Sequence, residues 1–160
     1  MTPTARTEKA ISKWLESSSE VPEIARSDWE RGRPAILRTG VRYDAVRMPS
    51  SLVHAAVESV EPEAVARALA DRLSGPVIAD PVAWYYALVP RGTCETWNSP
   101  LAVVRGHGSW LGIPPADHTD PSAPGVYWAV PVTETGDLCD AEAVAELLAA
   151  GARIDGTTTP

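Results

Sequence analysis

No apolar run in this chain goes far before a proline, a glycine or a charge cuts it, so its strands and amphipathic helices must be short. A bilayer-spanning helix needs roughly 20 consecutive apolar residues, and a membrane role is therefore not expected. The first residues, Met1 to Lys9, lack the apolar core of a signal peptide. A cytoplasmic location follows as the expectation. At 160 residues the chain is long enough for one ordinary hydrophobic core. The two cysteines, Cys94 and Cys139, lie far apart and outside any metal-binding or redox motif, so no disulfide framework is implied.

Apolar spacing places a helix over about Thr7 to Glu16, with Ala10, Ile11, Trp14 and Leu15 on one stripe, and a second from Pro22 to Trp29. Ala35 to Arg38 reads as a strand, and Val41 to Met48 as another after a turn at Thr39-Gly40. A helix starting at Pro49-Ser50 carries Leu52, Val53, Ala56, Val57 and Val60 on one face, and a further stripe runs from Pro62 to Leu73. Short strands then follow at Val77 to Ala79, Trp84 to Val89, Ala102 to Arg105, Trp110 to Ile113 and Val126 to Val130. A last helix runs from about Asp140 to Ala150, with Gly151 as its stop. The predicted fold is one α+β domain over residues 1–154, a mixed, largely antiparallel sheet with helices packed on it. The tail 155–160 is expected to be disordered.

Net charge is −7, and the basic residues are scattered, with Lys9 and Lys13 the only lysines. Nucleic-acid affinity rests on local basic stripes, so this distribution disfavours a nucleic-acid partner. Six tryptophans in a chain without phenylalanine must mostly serve as core. Trp97, in a loop bounded by proline and glycine, is the candidate for an exposed anchor.

The most specific stretch is Val104-Arg105-Gly106-His107-Gly108-Ser109-Trp110, ending in Pro114-Pro115 and followed by Tyr127-Trp128. Together with Val41-Arg42-Tyr43-Asp44-Ala45-Val46 and Trp84-Tyr85-Tyr86-Ala87-Leu88 it resembles the primase–polymerase (prim-pol) domain of the archaeo-eukaryotic primase superfamily. The resemblance is particularly to the bacterial bifunctional DNA primase/polymerase type and small actinobacterial proteins related to it, over about residues 29–131. That resemblance implies a two-metal nucleotidyl-transfer site built from an Asp-x-Asp or Asp-x-Glu, a strand histidine and a third acid. Here Asp44 has Val46 where its partner should be, the middle strand has no histidine, and Val103 and Val104 precede Arg105. The resemblance therefore implies a degenerate active site, with Asp44 as a remnant acid and no metal or other cofactor. Mg²⁺ draws on several oxygen ligands, so one exposed carboxylate holds it feebly.

Such a fold would keep a cleft, with Arg105 as an anion-binding group and Tyr85, Tyr86 or Trp110 as stacking platforms. Gly106, His107 and Gly108 could cradle a phosphate through backbone amides, or simply form a tight β-turn. Asp117, His118 and Asp120 could meet a metal at a loop, or be solvated loop residues, and no zinc-ligand spacing links His54, His107 and His118. Ser109 lacks a nucleophile-elbow context. Cys94, beside Glu95, should have a raised pKa and a structural role. The leading reading is a non-catalytic binding or regulatory protein acting through a protein partner or self-association. The alternatives are a small-nucleotide or nucleic-acid binder in the remnant cleft, and an enzyme of unrelated chemistry using Asp44, His107 and His118. A concave site joining Asp44 to Arg105 would favour a ligand, an apolar surface patch a partner.

Overall fold

The computed structural model describes residues 5–81 and 83–155. In chain order these form α1 (Ala5–Glu16), α2 (Pro22–Glu30), β1 (Ala35–Arg38), β2 (Asp44–Pro49), α3 (Ser50–Val57), α4 (Pro62–Leu73) and β3 (Val77–Asp80). They continue as β4 (Trp84–Val89), α5 (Thr93–Thr96), β5 (Val103–Arg105), β6 (Trp110–Ile113), β7 (Tyr127–Val130) and α6 (Ala141–Asp155). The fold is α+β, with a five-stranded sheet in the order β5-β2-β4-β3-β7 and a two-stranded sheet of β1 and β6. The sequence leads one to expect a mixed, largely antiparallel sheet, and every pairing between the described strands is antiparallel. No helix among the described residues is long and apolar enough to cross a membrane.

Strand alternation divides the five-stranded sheet into two faces. Val46, Met48, Val77, Tyr85, Ala87 and Val89 pack against Leu52 and Val53 of α3, Val65, Leu69 and Leu73 of α4, and Val144, Leu147 and Leu148 of α6. Ala45, Ile78, Tyr86, Leu88 and Trp128 face the other way, onto Ile11 and Leu15 of α1, Ala25 of α2 and the inner side of the small sheet, Ala35, Leu37, Leu111 and Ile113. Two indole N–H groups pin the small sheet and the loop after it. Trp29 donates to the Ile113 carbonyl at 2.9 Å. Trp128, fully buried, donates to the carbonyls of Pro114 and Pro115 at 3.2 and 3.1 Å.

Three sequence expectations fail for local reasons. The helix at the C-terminal end does not stop at Gly151 but runs on to Asp155. Gly151 is there for close approach: a Cβ at that position would collide with the Leu52 carbonyl oxygen, so glycine is what lets α6 lie against α3. β2 begins at Asp44 rather than Val41, because the Gly40 N–H donates to the Tyr43 carbonyl at 2.7 Å and closes the turn over those residues. Val60 is 75% exposed instead of lying on the apolar face of α3, because Glu58 takes a left-handed conformation (φ 55°) and turns the chain out. The tail expected to be disordered lies, beyond Asp155, outside the described residues.

Candidate functional site

The sheet's alternation decides which candidate residues meet. Ala45 pairs with Arg105 and Arg47 with Tyr86, so Arg47, Arg105, Trp84 and Tyr86 share one face, while Asp44 and Tyr85 belong to the other. The structure brings three of the sequence candidates together. The Arg105 guanidinium lies 5.3 Å from the centroid of the Tyr86 ring and donates to the Trp110 carbonyl at 2.9 Å. Arg47, which the sequence did not single out, lies beside them with its Cζ 4.2 Å from the centroid of Trp84.

Asp44 is in a different place and a different state from those expected. It is fully buried rather than exposed, on the face covered by α3, α4 and α6. One carboxylate oxygen accepts the Cys94 N–H at 2.9 Å and the other is buried with no hydrogen-bond partner. The Cys94 thiol lies where a side chain at Gly106 would be, which joins the end of β5 to α5. Desolvation, then the Asp44 charge and the hydrogen bond to Asp44, push the thiol of the exposed Cys94 up, and the His107 backbone N–H opposes them. The sequence reading attributed the rise to Glu95, which contributes least. Asp44 and Arg105 thus line no common cleft.

Tyr85 turns into the helix-covered core, where its hydroxyl meets His54 Nε2 at 2.9 Å. Burial, with the neighbouring Tyr127, pushes the Tyr85 phenol up to about 12, and burial lowers the pKa of His54. These are packing roles. Gly106-His107-Gly108 forms a β-turn, Ser109 N–H to the Gly106 carbonyl at 3.2 Å, and the Thr39 hydroxyl donates to the same carbonyl at 2.6 Å. His107 and Gly108 line a hollow of about 250 Å³ with Arg38, Thr39, Val41, Ser109 and Trp110. His118 sits next to Gly32, on the loop after β6, and its carbonyl accepts the Trp128 N–H at 2.7 Å. Asp44, His107 and His118 therefore occupy three separate places. Asp120 closes its own turn with Ser122, whose side-chain and backbone bonds hold its carboxyl below the usual range. Among the described residues no group of three or more His, Cys, Asp or Glu is placed to hold a metal.

Trp97 is not the exposed anchor. It is half-buried against the helix-covered core, with its indole N–H shared between the carbonyls of Ser99 and Ala102 at 3.1 and 3.2 Å. The exposed tryptophan is Trp110, 50% accessible, with the Arg38 guanidinium 5.1 Å from its ring centroid. Trp110 borders a groove of about 230 Å³ between α2 and β1, together with Val21, Ile24, Ala25, Ile36, Leu37 and Arg38. Of the exposed large apolar side chains among the described residues, Val21, Ile24, Ile36 and Trp110 gather here, whereas Val60, Val103 and Ile154 do not line it. Successive strand residues point to opposite faces, so a hollow that touches Ile36, Leu37 and Arg38 in a row runs along the edge of β1.

That edge has no strand partner, since β6 is the only described strand beside β1, and α2 flanks it. Thr39 N–H donates to the Ser109 carbonyl at 3.0 Å, in register with the pairing of Leu37 to Leu111 and Ala35 to Ile113. The alternation of antiparallel hydrogen bonds then turns the backbone groups of Ile36 and Arg38 away from β6, toward the groove. An ion pair rims it, Arg38 to Glu20 at 3.2 Å. Sequence reasoning missed this surface, although Ile36 between the inward Ala35 and Leu37 carried the signal. It also missed a larger hollow of about 540 Å³ between α1 and α2, lined by Lys9, Ser12, Lys13, Glu16, Arg26, Trp29 and Glu30. There Arg26 is already paired with Glu16 at 3.1 Å.

In comparison with known proteins, no family model, curated protein or solved structure matches this chain.

Proposed function

We propose that this is a cytoplasmic, non-catalytic binding or regulatory protein that works through a protein partner at the groove between α2 and β1. The observation that carries this reading is the gathering of Val21, Ile24, Ile36 and Trp110 along a strand edge that no second described strand pairs with and that α2 flanks. Exposed apolar side chains grouped in one patch mark interaction surfaces, whereas the same residues scattered singly do not. An open edge adds main-chain donors and acceptors to the apolar walls, which suits an extended segment laid beside β1. The buried position of Asp44, on the far face from Arg105, supports the non-catalytic part of this reading.

The test compares the chain with an Ile24→Asp/Ile36→Asp variant in two measurements. Sedimentation over a range of concentrations reads self-association, and quantitative affinity capture reads foreign partners. The proposal expects at least one association that the variant abolishes while its unfolding midpoint is kept. Associations that survive the variant unchanged, or metal-dependent nucleotide incorporation above a buffer control, would overturn it.

A further inference from the structure

On the less covered face of the five-stranded sheet, β5, β2 and β4 form a shelf that carries the guanidinium groups of Arg47 and Arg105, with Asp80 on the same face opposite Trp84. Arg47 is opposite Val103 and Arg105 opposite Ala45 in the β2–β5 pairing, so the two arginines are diagonal neighbours, about 7 to 8 Å apart at their backbones. Between them Ala45 is small, and Arg105 reaches across β2 to lie 5.3 Å from the centroid of Tyr86. Arg47 lies 4.2 Å from the centroid of Trp84, and its Nε is buried with no hydrogen-bond partner. The ion pairs among the described residues are made by Arg26, Arg33 and Arg38, not by Arg47 or Arg105. Val103, 57% exposed, forms the outer border of the shelf.

We propose that this shelf binds a phosphate-type oxoanion between Arg47 and Arg105, with pyrophosphate as the compact probe that can engage both. In a chain of net charge −7, two neighbouring guanidinium groups that take part in none of the ion pairs between described residues form a local concentration of positive charge. Stacking on Trp84 and Tyr86 holds both side chains before a ligand arrives, so little rotamer freedom remains to be lost on binding. Charge-assisted, forked hydrogen bonds from guanidinium to phosphate supply the recognition. Each of the two rings already faces a guanidinium, so the shelf reads charge and oxygen geometry rather than a stacked base. This site is distinct from the groove at β1 and goes beyond the protein contact assigned to that groove.

The experiment is calorimetric titration at constant ionic strength with pyrophosphate, inorganic phosphate and a nucleoside diphosphate. Wild type, Arg47→Gln, Arg105→Gln and, as a control lining neither site, Arg33→Gln are compared, each after its unfolding midpoint has been checked. Saturable pyrophosphate binding is expected, weakened at least tenfold in Arg47→Gln and in Arg105→Gln and unchanged in Arg33→Gln. Equal affinity for pyrophosphate and the nucleoside diphosphate identifies the phosphates as the whole ligand. Tighter binding of the nucleoside diphosphate, still needing both arginines, identifies the same oxoanion site with a nucleoside contact added. A measurement that needs no variant is the indole N–H spectrum of the wild type, where pyrophosphate should shift Trp84 and leave Trp29 in place. No saturable binding at millimolar pyrophosphate, binding that depends on only one of the two arginines, or indole shifts that spare Trp84 would each overturn the proposal.

Discussion

The two faces of the five-stranded sheet use similar residue types for different ends. On the face covered by α3, α4 and α6, the polar groups turn inward and bond within the fold: Asp44, through one of its two oxygens, to the Cys94 amide, and Tyr85 to His54. On the opposite face α1, α2 and the small sheet cover only part of the strands, and Arg47, Arg105 and Val103 stay partly or largely accessible. A carboxylate or a tyrosine is therefore not a site by virtue of its type. The face it occupies decides whether its chemistry is available, and on a strand one step of alternation changes that face.

The sharpest way to break this comparison is to cut a cavity in each face. Leu69→Ala removes a fully buried side chain beneath the sheet and should cost about 3 kcal/mol in denaturant unfolding. Val103→Ala on the open face should stay within about 0.5 kcal/mol. Equal costs would mean that the second face is as closed as the first. Next in size is Asp44→Ala, which strips the Cys94 amide of its acceptor and should cost about 2 kcal/mol. An unchanged midpoint would show that Asp44 has no structural role and would reopen its candidacy as a functional acid.

The helices and strands were legible in the sequence because their periods are local: Ile11 and Leu15, or Val65 and Leu69, recur at helical spacing whatever lies opposite. Asp44 was not legible as a buried residue. Its surroundings are supplied by Cys94 and Gly106, fifty and more positions away, and only the β2–β5 register brings them together. Gly151 looked like a helix stop because a glycine's need for space is set by a distant carbonyl, that of Leu52. Arg105, Tyr86 and Trp110 were named from a motif and do meet. Arg47 escaped notice although the alternation from Ala45 puts it on the same face. The groove at β1 escaped because it is made by two elements, α2 and β1, whose apolar residues looked individually unremarkable.

Two titrations sharpen the contrast further. The Cys94 thiol is raised, and the Asp44 charge and hydrogen bond are two of the three largest causes. Asp44→Asn should therefore lower that pKa, increase the thiolate fraction at pH 8 and speed alkylation. Cys139, buried and pushed up to about 12, should remain unlabelled in the folded protein. An alkylation rate independent of residue 44 would separate the thiol from Asp44. The His54 pKa is lowered by burial, so the unfolded chain takes up that proton first as pH falls. The contribution is complete above the ordinary histidine value of about 6.5 and is lost as pH drops toward the lower folded value. Replacing His54 by Gln should flatten the stability profile in that window, and an unaltered slope would show that the pair with Tyr85 does not titrate with folding.

The smallest effect on the fold should come from the surface proposed to matter most for function. Ile36 is 62% exposed on the outer side of β1, where it packs into no core, so Ile36→Asp should change stability by less than about 0.5 kcal/mol. Ile113, on the inner side of the partner strand, is fully buried, and Ile113→Asp should unfold the small sheet. The two isoleucines lie on opposite sides of one antiparallel ribbon and differ in what covers them. A large loss of stability on Ile36→Asp, read from the unfolding midpoint, would mean that the groove is closed by the chain itself. A silent Ile36→Asp leaves an apolar strand edge that folding does not need, and edge strands kept without such a need are otherwise blunted by charge, proline or a covering element.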